Sequence, residues 1–298
     1  MSIKETIGKK IREEREKKGF SREQLCGGEE ELTVRQLVRI ELGQSLPSIV
    51  KLEYIAKVLD TDLSVLLAGE NITIPDEYFT MKYQLFKFPT YGDKERLAQK
   101  AQMIEDIYEK YFDCLPEEEL YTLELSDNTL DYISTGKTAA AEDIFEDFFK
   151  QLFLKKKYTF NDLLLVSYYA VQCQNKGYEE EVLKSLEATV LKQDVSGDEY
   201  YNIELLGTLT AIAGVYLDHA EYSQLKILAD RMHDIIAETQ QHSAKPIALI
   251  YDAKYYLYAE NNVEKAKECY DLATLLAQNF GDNILEANLR DERKADHI

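Results

Sequence analysis

The chain has 298 residues, 45% of them hydrophobic, and its 35 basic and 55 acidic groups give a formal charge of −20. That length buries a full core and allows about two domains, while no run of about 18 apolar residues offers a membrane span and "MSIKETIGKK" lacks a signal-peptide core, so a cytoplasmic protein is expected. The hydrophobic fraction excludes disorder, and four scattered cysteines (Cys26, Cys114, Cys173, Cys269) without C-x-x-C spacing exclude a disulfide framework and a zinc site.

The charge is uneven. Residues 1–66 carry 12 basic and 12 acidic groups, whereas the other 232 carry 23 basic and 43 acidic ones, the whole of the −20. A body that acidic repels nucleic acid, so any contact with DNA is confined to the amino-terminal segment.

Five short helices are predicted over residues 1–68. The first carries Ile3, Ile7 and Ile11 on one stripe and stops at Gly19. Ser21 caps the second, "SREQLC", with Gln24 in capping-box position, and Thr33 caps the third, "VRQLVRIE", which ends at Gly43. Pro47-Ser48 opens a fourth with Leu52, Ile55 and Leu59 at helical spacing; "TDLSVLLA" makes the fifth. Residues 69–76, with "ENITIPD", form an extended linker because β-branched residues precede a proline.

From residue 77 to 298 the pattern is helical throughout, which makes the chain all-α. Helices are expected over about 76–88, 93–113, 117–134 and 139–156, and then a weak repeat sets in. "YYAVQCQNKGYEEEVLKSLEA", "GVYLDHAEYSQLKILADRM" and "YYLYAENNVEKAKECYDLA" each place a polar break between two helices. The breaks at Tyr178, Tyr222 and Val263 lie 44 and 41 residues apart. Helical hairpins of that period stack into a solenoid, because one hairpin alone cannot bury its apolar faces.

In a helix-turn-helix unit the second helix enters the major groove with its first turns. Here Val34, Arg35 and Gln36 stand at that start, and Arg39 shares a face with Arg35 while Leu37 and Ile40 face the core. Arginine reads guanine bidentately, and Gln36 could read adenine or hold a phosphate. The turn "CGGEEEL" carries Glu29, Glu30 and Glu31, which are unfavourable near phosphate. Either it points away from DNA or it is a docking surface.

The segments "IGKKIREEREKKGFSREQLC", "LTVRQLVRIELGQSLPS" and "LEYIAKVLDTDLSVLL" resemble the Cro/C1-type helix-turn-helix family over residues 3–67. The resemblance implies base contacts at Val34, Arg35 and Arg39, a backbone-positioning residue at Arg22, and a structural ion pair between Arg15 and Glu41. With a degenerate tetratricopeptide-like solenoid behind it, the whole chain resembles the Rgg-like and RRNPP-type peptide-pheromone receptors. "ITIPDEYF", "KFPTYGDKERL" and "LPEEELYTLEL" are similar to the ComR type of competence regulator among them. That resemblance implies a short hydrophobic re-imported peptide as ligand, double-stranded promoter DNA as target, and a homodimer when activated that is monomeric without peptide. The expected division is a DNA-binding domain over 1–68, a linker over 69–76 and a peptide-sensing and dimerisation domain over 77–298.

A solenoid groove grips an extended peptide through side-chain amides and aromatic walls, and the chain has 21 Tyr and 11 Phe. Candidate peptide contacts are Thr90, Lys100 (for a peptide carboxylate), Tyr169, Gln172, Asn202 and Tyr251; as core or solvated side chains the same residues need no ligand. Glu117, Glu118 and Glu119 follow Pro116 in the first turn of a helix, where carboxylates are favoured in any case. The sharper reading is an autoinhibitory latch, with Glu117 or Glu118 holding Arg35 or Arg39 until peptide arrives. "NILEANLRDERKADHI" is either a helix that packs on a partner or a frayed cap.

No P-loop, dinucleotide, zincin or nucleophile-elbow motif is present, and the four histidines lie without acidic partners at metal spacing, so neither enzyme activity nor a cofactor is expected. The alternative to a peptide receptor is a peptide-independent repressor whose solenoid binds a protein partner.

Overall fold

Helix starts at the amino-terminal end are fixed by the side chains that cap them. In the computed structural model, which describes residues 2–137, 148–174 and 177–298, Ser2, Ser21 and Thr33 accept from the backbone N–H three residues on. Glu5, Gln24 and Gln36 reach back to accept from the N–H of the cap. These boxes open α1 (Ile3–Lys17), α2 (Arg22–Cys26) and α3 (Val34–Glu41). Ser48 caps α4 (Ile49–Val58), and α5 (Leu63–Leu67) follows. The predicted stripes turn inward together: Ile7, Ile11, Leu37, Ile40, Leu52, Ile55, Leu59 and Leu66 share one core. Helices α1 and α3 cross closely because residue 8 is glycine; a Cβ there would stand 2.0 Å from the Ile40 carbonyl oxygen.

All regular structure among the described residues is helical, and none of their helices is long and apolar enough to cross a membrane. Residues 70–75 have no regular structure, and α6 (Asp76–Lys87), α7 (Lys94–Tyr111) and α8 (Glu117–Thr135) come next. The helix expected over 139–156 lies partly outside the described residues; 148–152 are helical. Then come α9 (Phe160–Cys173), α10 (Glu180–Val190), α11 (Glu199–Asp218), α12 (Leu225–Thr239), α13 (Lys245–Lys254), α14 (Val263–Phe280) and α15 (Asn283–Ala295). Helix α9 packs along α11, α12 on α13, and α13 along α14, which is hairpin stacking.

Among the described residues, the repeat breaks hold Gly177 at φ +82°, Ala220 at +57° and Asn261 at +53°, all in the left-handed region. They lie 43 and 41 positions apart, so the backbone keeps the period that the side chains blur.

By packing, the described residues form two units. The first draws on Met1–Lys82, Ile104–Glu124 and Ala141–Lys155; the second on Tyr83–Met103, Leu125–Ala140 and Lys156–Ile298. Helix α8 therefore begins in one unit and ends in the other.

The carboxy-terminal segment is not a frayed cap. Helix α15 seats Leu285 and Leu289 against Leu249, Ala273 and Ala277. Asp296 accepts from Lys254 Nζ at 2.7 Å, Tyr258 OH at 2.8 Å and Tyr270 OH at 2.5 Å.

Candidate functional site

In the first unit, α3 is set by a buried carboxylate. Glu41, at its last position, accepts from Arg15 Nε at 2.5 Å and Nη2 at 3.1 Å. Arg22 Nε donates to the same carboxylate at 2.8 Å, so the residue expected to position a DNA backbone is here paired with Glu41. A carboxylate with two guanidinium partners is worth burying, and it locks α1, α2 and α3 in register.

The outer face of α3 is engaged. Arg39 Nη2 donates to Glu117 Oε1, and the Glu117 backbone N–H donates to the Leu46 carbonyl at 2.8 Å. The neighbouring acids divide the remaining work: Glu118 pairs with Lys51 of α4 at 2.9 Å, and Glu119 with Lys82 of α6 at 2.7 Å and with the Tyr78 hydroxyl. Burial pushes the Glu117 carboxyl above its ordinary range, against the pull of Lys51 and Arg39. Of the expected pairings among Arg35, Arg39, Glu117 and Glu118, the geometry brings together Arg39 and Glu117. Lys51 was missed, because a single lysine in an amphipathic helix carries no signal until its partner is seen.

Arg35 lies elsewhere, with Val34, Lys150, Gln151 and Leu154 around a cavity of about 370 Å³. At the acidic turn the Glu29 carbonyl accepts from Gln151 Nε2 at 2.6 Å, and its carboxylate accepts from the Val34 N–H at 2.9 Å. Gln36 departs from the DNA-contact expectation. Its Oε1 accepts from the Thr33 N–H at 3.0 Å and the residue is 2% exposed, so the cap consumes it.

The second unit encloses a cavity of about 670 Å³. The end of α6 and the loop after it, Phe86–Gly92, form one side, Ser126, Thr129, Leu130 and Ile133 of α8 another, and Leu164, Ser167, Ile203, Glu204, Leu206 and Gly207 the floor. Its rim is tied to α15: Arg96 donates to both Asp282 oxygens at 3.0 and 3.2 Å, and Asn288 Nδ2 donates to the Tyr91 carbonyl at 3.0 Å. Such a space, mostly apolar with convergent polar groups, suits an extended apolar ligand.

Thr90 and Lys100 line this cavity. The other four candidates do not. Tyr251 lines a smaller neighbouring cavity and donates to the Thr210 carbonyl at 3.2 Å. Asn202 clamps Ser196, donating to its carbonyl at 2.7 Å and accepting from its N–H at 2.8 Å. The Gln172 carbonyl accepts from Tyr132 OH at 3.1 Å, and Tyr169 stays beside Cys173. Sequence reasoning missed Glu204, although it is the sole charged side chain between Asn202 and Leu217. Among the described residues no group of His, Cys, Asp and Glu is arranged to hold a metal ion.

Residues 75–293 match the ComR tetratricopeptide family. Among curated proteins none matches significantly. Among solved structures, the apo form of the competence regulator ComR from Streptococcus vestibularis is 44% identical, with a TM-score of 0.87 and 99% of each chain covered. The same regulator in complex with its cognate signalling peptide XIP, again 44% identical with 99% of each chain covered, gives 0.72. ComR from S. thermophilus in complex with DNA and its signalling peptide ComS is 42% identical over 98% of this chain and 100% of that one, at 0.74. A family match across most of the chain, joined to 44% identity over nearly all of it, means that the chain belongs to the ComR family.

Proposed function

We propose that this chain is a peptide-responsive, DNA-binding transcriptional regulator of competence type. Residues 1–68 read promoter DNA through Val34, Arg35 and Arg39, residues 69–76 connect, and residues 77–298 take up a short hydrophobic signalling peptide and supply the dimer contact. Arg39 cannot grip guanine while it is paired with Glu117.

One observation carries the reading: α8 starts with Glu117, Glu118 and Glu119 against the DNA-binding helices and continues into Ser126, Thr129, Leu130 and Ile133, which wall the ligand cavity. A peptide that displaces the cavity wall acts on the same helix whose first turn holds Arg39. To take the population from 1:99 to 99:1, the peptide must favour the released state by about 5.5 kcal/mol.

The test is fluorescence polarisation of labelled promoter DNA with and without synthetic peptides from a neighbouring small reading frame. Peptide-dependent DNA binding with an increase in oligomeric size is expected. Equal binding without peptide would favour the peptide-independent repressor.

A further inference from the structure

Three charged side chains line the large cavity: Lys87, Lys100 and Glu204. Lys87 is balanced by Glu199 at 2.8 Å. Lys100 reaches the Phe88 carbonyl at 3.3 Å and, among the described residues, has no carboxylate in an ion pair; the acid that acts on it electrostatically is Glu204. Glu204 accepts from Ser167 Oγ at 2.6 Å, and Ser167 in turn contacts Thr208 Oγ1 at 3.0 Å. On its own helix Glu204 has Thr208 nearby; from the elements around it, α7 contributes Lys100 and α9 Ser167, while the end of α6 adds Lys87 and the loop after it Tyr91 to the cavity wall.

We infer that Glu204 is a specificity-determining residue of the cavity: ionised, it neutralises Lys100 and turns away a peptide carboxylate, and protonated, it leaves Lys100 as a lone positive charge that accepts one. This rests on the peptide-receptor reading and adds a condition to it. Signal capture is then favoured by mild acidity, and a peptide bearing a second buried carboxylate is rejected.

Burial pushes the Glu204 carboxyl up to about 7, although Ser167 and Lys100 pull it down, so its charge changes across neutral pH. Burial also lowers the Lys100 ammonium, and Glu204 acts against that by favouring its charged form. A bound carboxylate beside Glu204 raises the latter's affinity for a proton further. By linkage, affinity for that ligand falls as pH rises through the free-state value.

Two arms test this on the full chain. The first measures binding of the S. vestibularis XIP peptide, as free acid and as carboxy-terminal amide, from pH 6 to 8. Free-acid affinity of the unmodified chain is expected to fall roughly fivefold to tenfold over that range. Glu204→Gln should remain flat near the pH 6 affinity, and the amide should show little slope with either chain. The same slope in Glu204→Gln, or in the amide, overturns the proposal.

The second arm needs no ligand. A carboxyl whose folded value is raised loses stability as pH climbs from its ordinary range toward that raised value, so the Tm of the unmodified chain should drop relative to Glu204→Gln between pH 5 and 7.5. Parallel Tm profiles overturn the inference. If XIP binds neither form at any pH, the failure lies with the peptide reading for this probe, and the unfolding arm still decides whether Glu204 titrates.

Discussion

Arg39 and Glu117, 78 positions apart in the chain, form an ion pair that places the recognition helix under a carboxylate belonging to the first turn of α8. Glu117 is 5% exposed and also anchored by its own backbone N–H, so the pair is held in place from the acidic side. Replacing it by Glu117→Lys sets two cations face to face. DNA affinity without peptide should rise roughly tenfold, about 1.4 kcal/mol. Glu118→Lys should do less, because the Lys51–Glu118 pair is more exposed on its acidic side. An undiminished requirement for peptide in Glu117→Lys rejects the latch at that residue.

Arg39 has two assigned tasks, and removing it separates them. Arg39→Ala opens the proposed latch yet deletes the proposed base contact, so peptide-free binding should stay weak. With peptide, affinity should fall by about 1–3 kcal/mol. Arg35→Ala should lower peptide-bound affinity to a similar degree without touching Glu117. Promoter affinity unchanged by charge removal at both positions would refute the DNA-reading role of α3, as measured by fluorescence polarisation at fixed salt.

The DNA-binding core should be sensitive to two small changes. Arg15→Ala leaves Glu41 with Arg22 alone in a site where the Glu41 side chain is inaccessible, at a cost of roughly 3 kcal/mol. Gly8→Ala forces α1 off the Ile40 carbonyl and should cost about 1–3 kcal/mol. Thermal melts followed by circular dichroism should show an earlier transition for both; an unchanged melt for Gly8→Ala would mean that the helices separate freely.

The repeat breaks offer a test with opposite signs. Ala220 adopts a left-handed conformation that an L side chain disfavours, so Ala220→Gly should stabilise by about 0.5 kcal/mol after glycine's entropy is set against the relief. Gly177→Ala should destabilise by about 1 kcal/mol, since its φ is +82° and an added Cβ would meet nothing that compensates. Denaturant midpoints that move in the same direction for both would contradict the backbone account.

The amino-terminal helices were legible because local chemistry decides them. Ser21, Thr33 and Ser48 state where helices start, and the stripe through Ile7, Ile11, Leu37 and Ile40 states which side is inside. Glu117 could be suspected as a partner of Arg39, because a run of carboxylates in a helix's first turn is conspicuous. Lys51, Gln151 and Glu204 could not be assigned that way. Each acts through a neighbour far along the chain, and single charged or amide side chains are common in helices. Tyr169, Gln172, Asn202 and Tyr251 show the reverse: suitable residue types at positions that do not line the large cavity. Gln36 sits where a base contact is expected, but the reciprocal bond to Thr33 claims it first.

The Arg96–Asp282 and Asn288–Tyr91 contacts have a bearing on how the chain folds. They tie the stretch around Tyr91, beside the large cavity, to positions 186 and 197 residues further along. Loops that long close late, because their entropy is lost before the contact repays it. This side of the cavity therefore takes its final form only after the hairpins between have stacked.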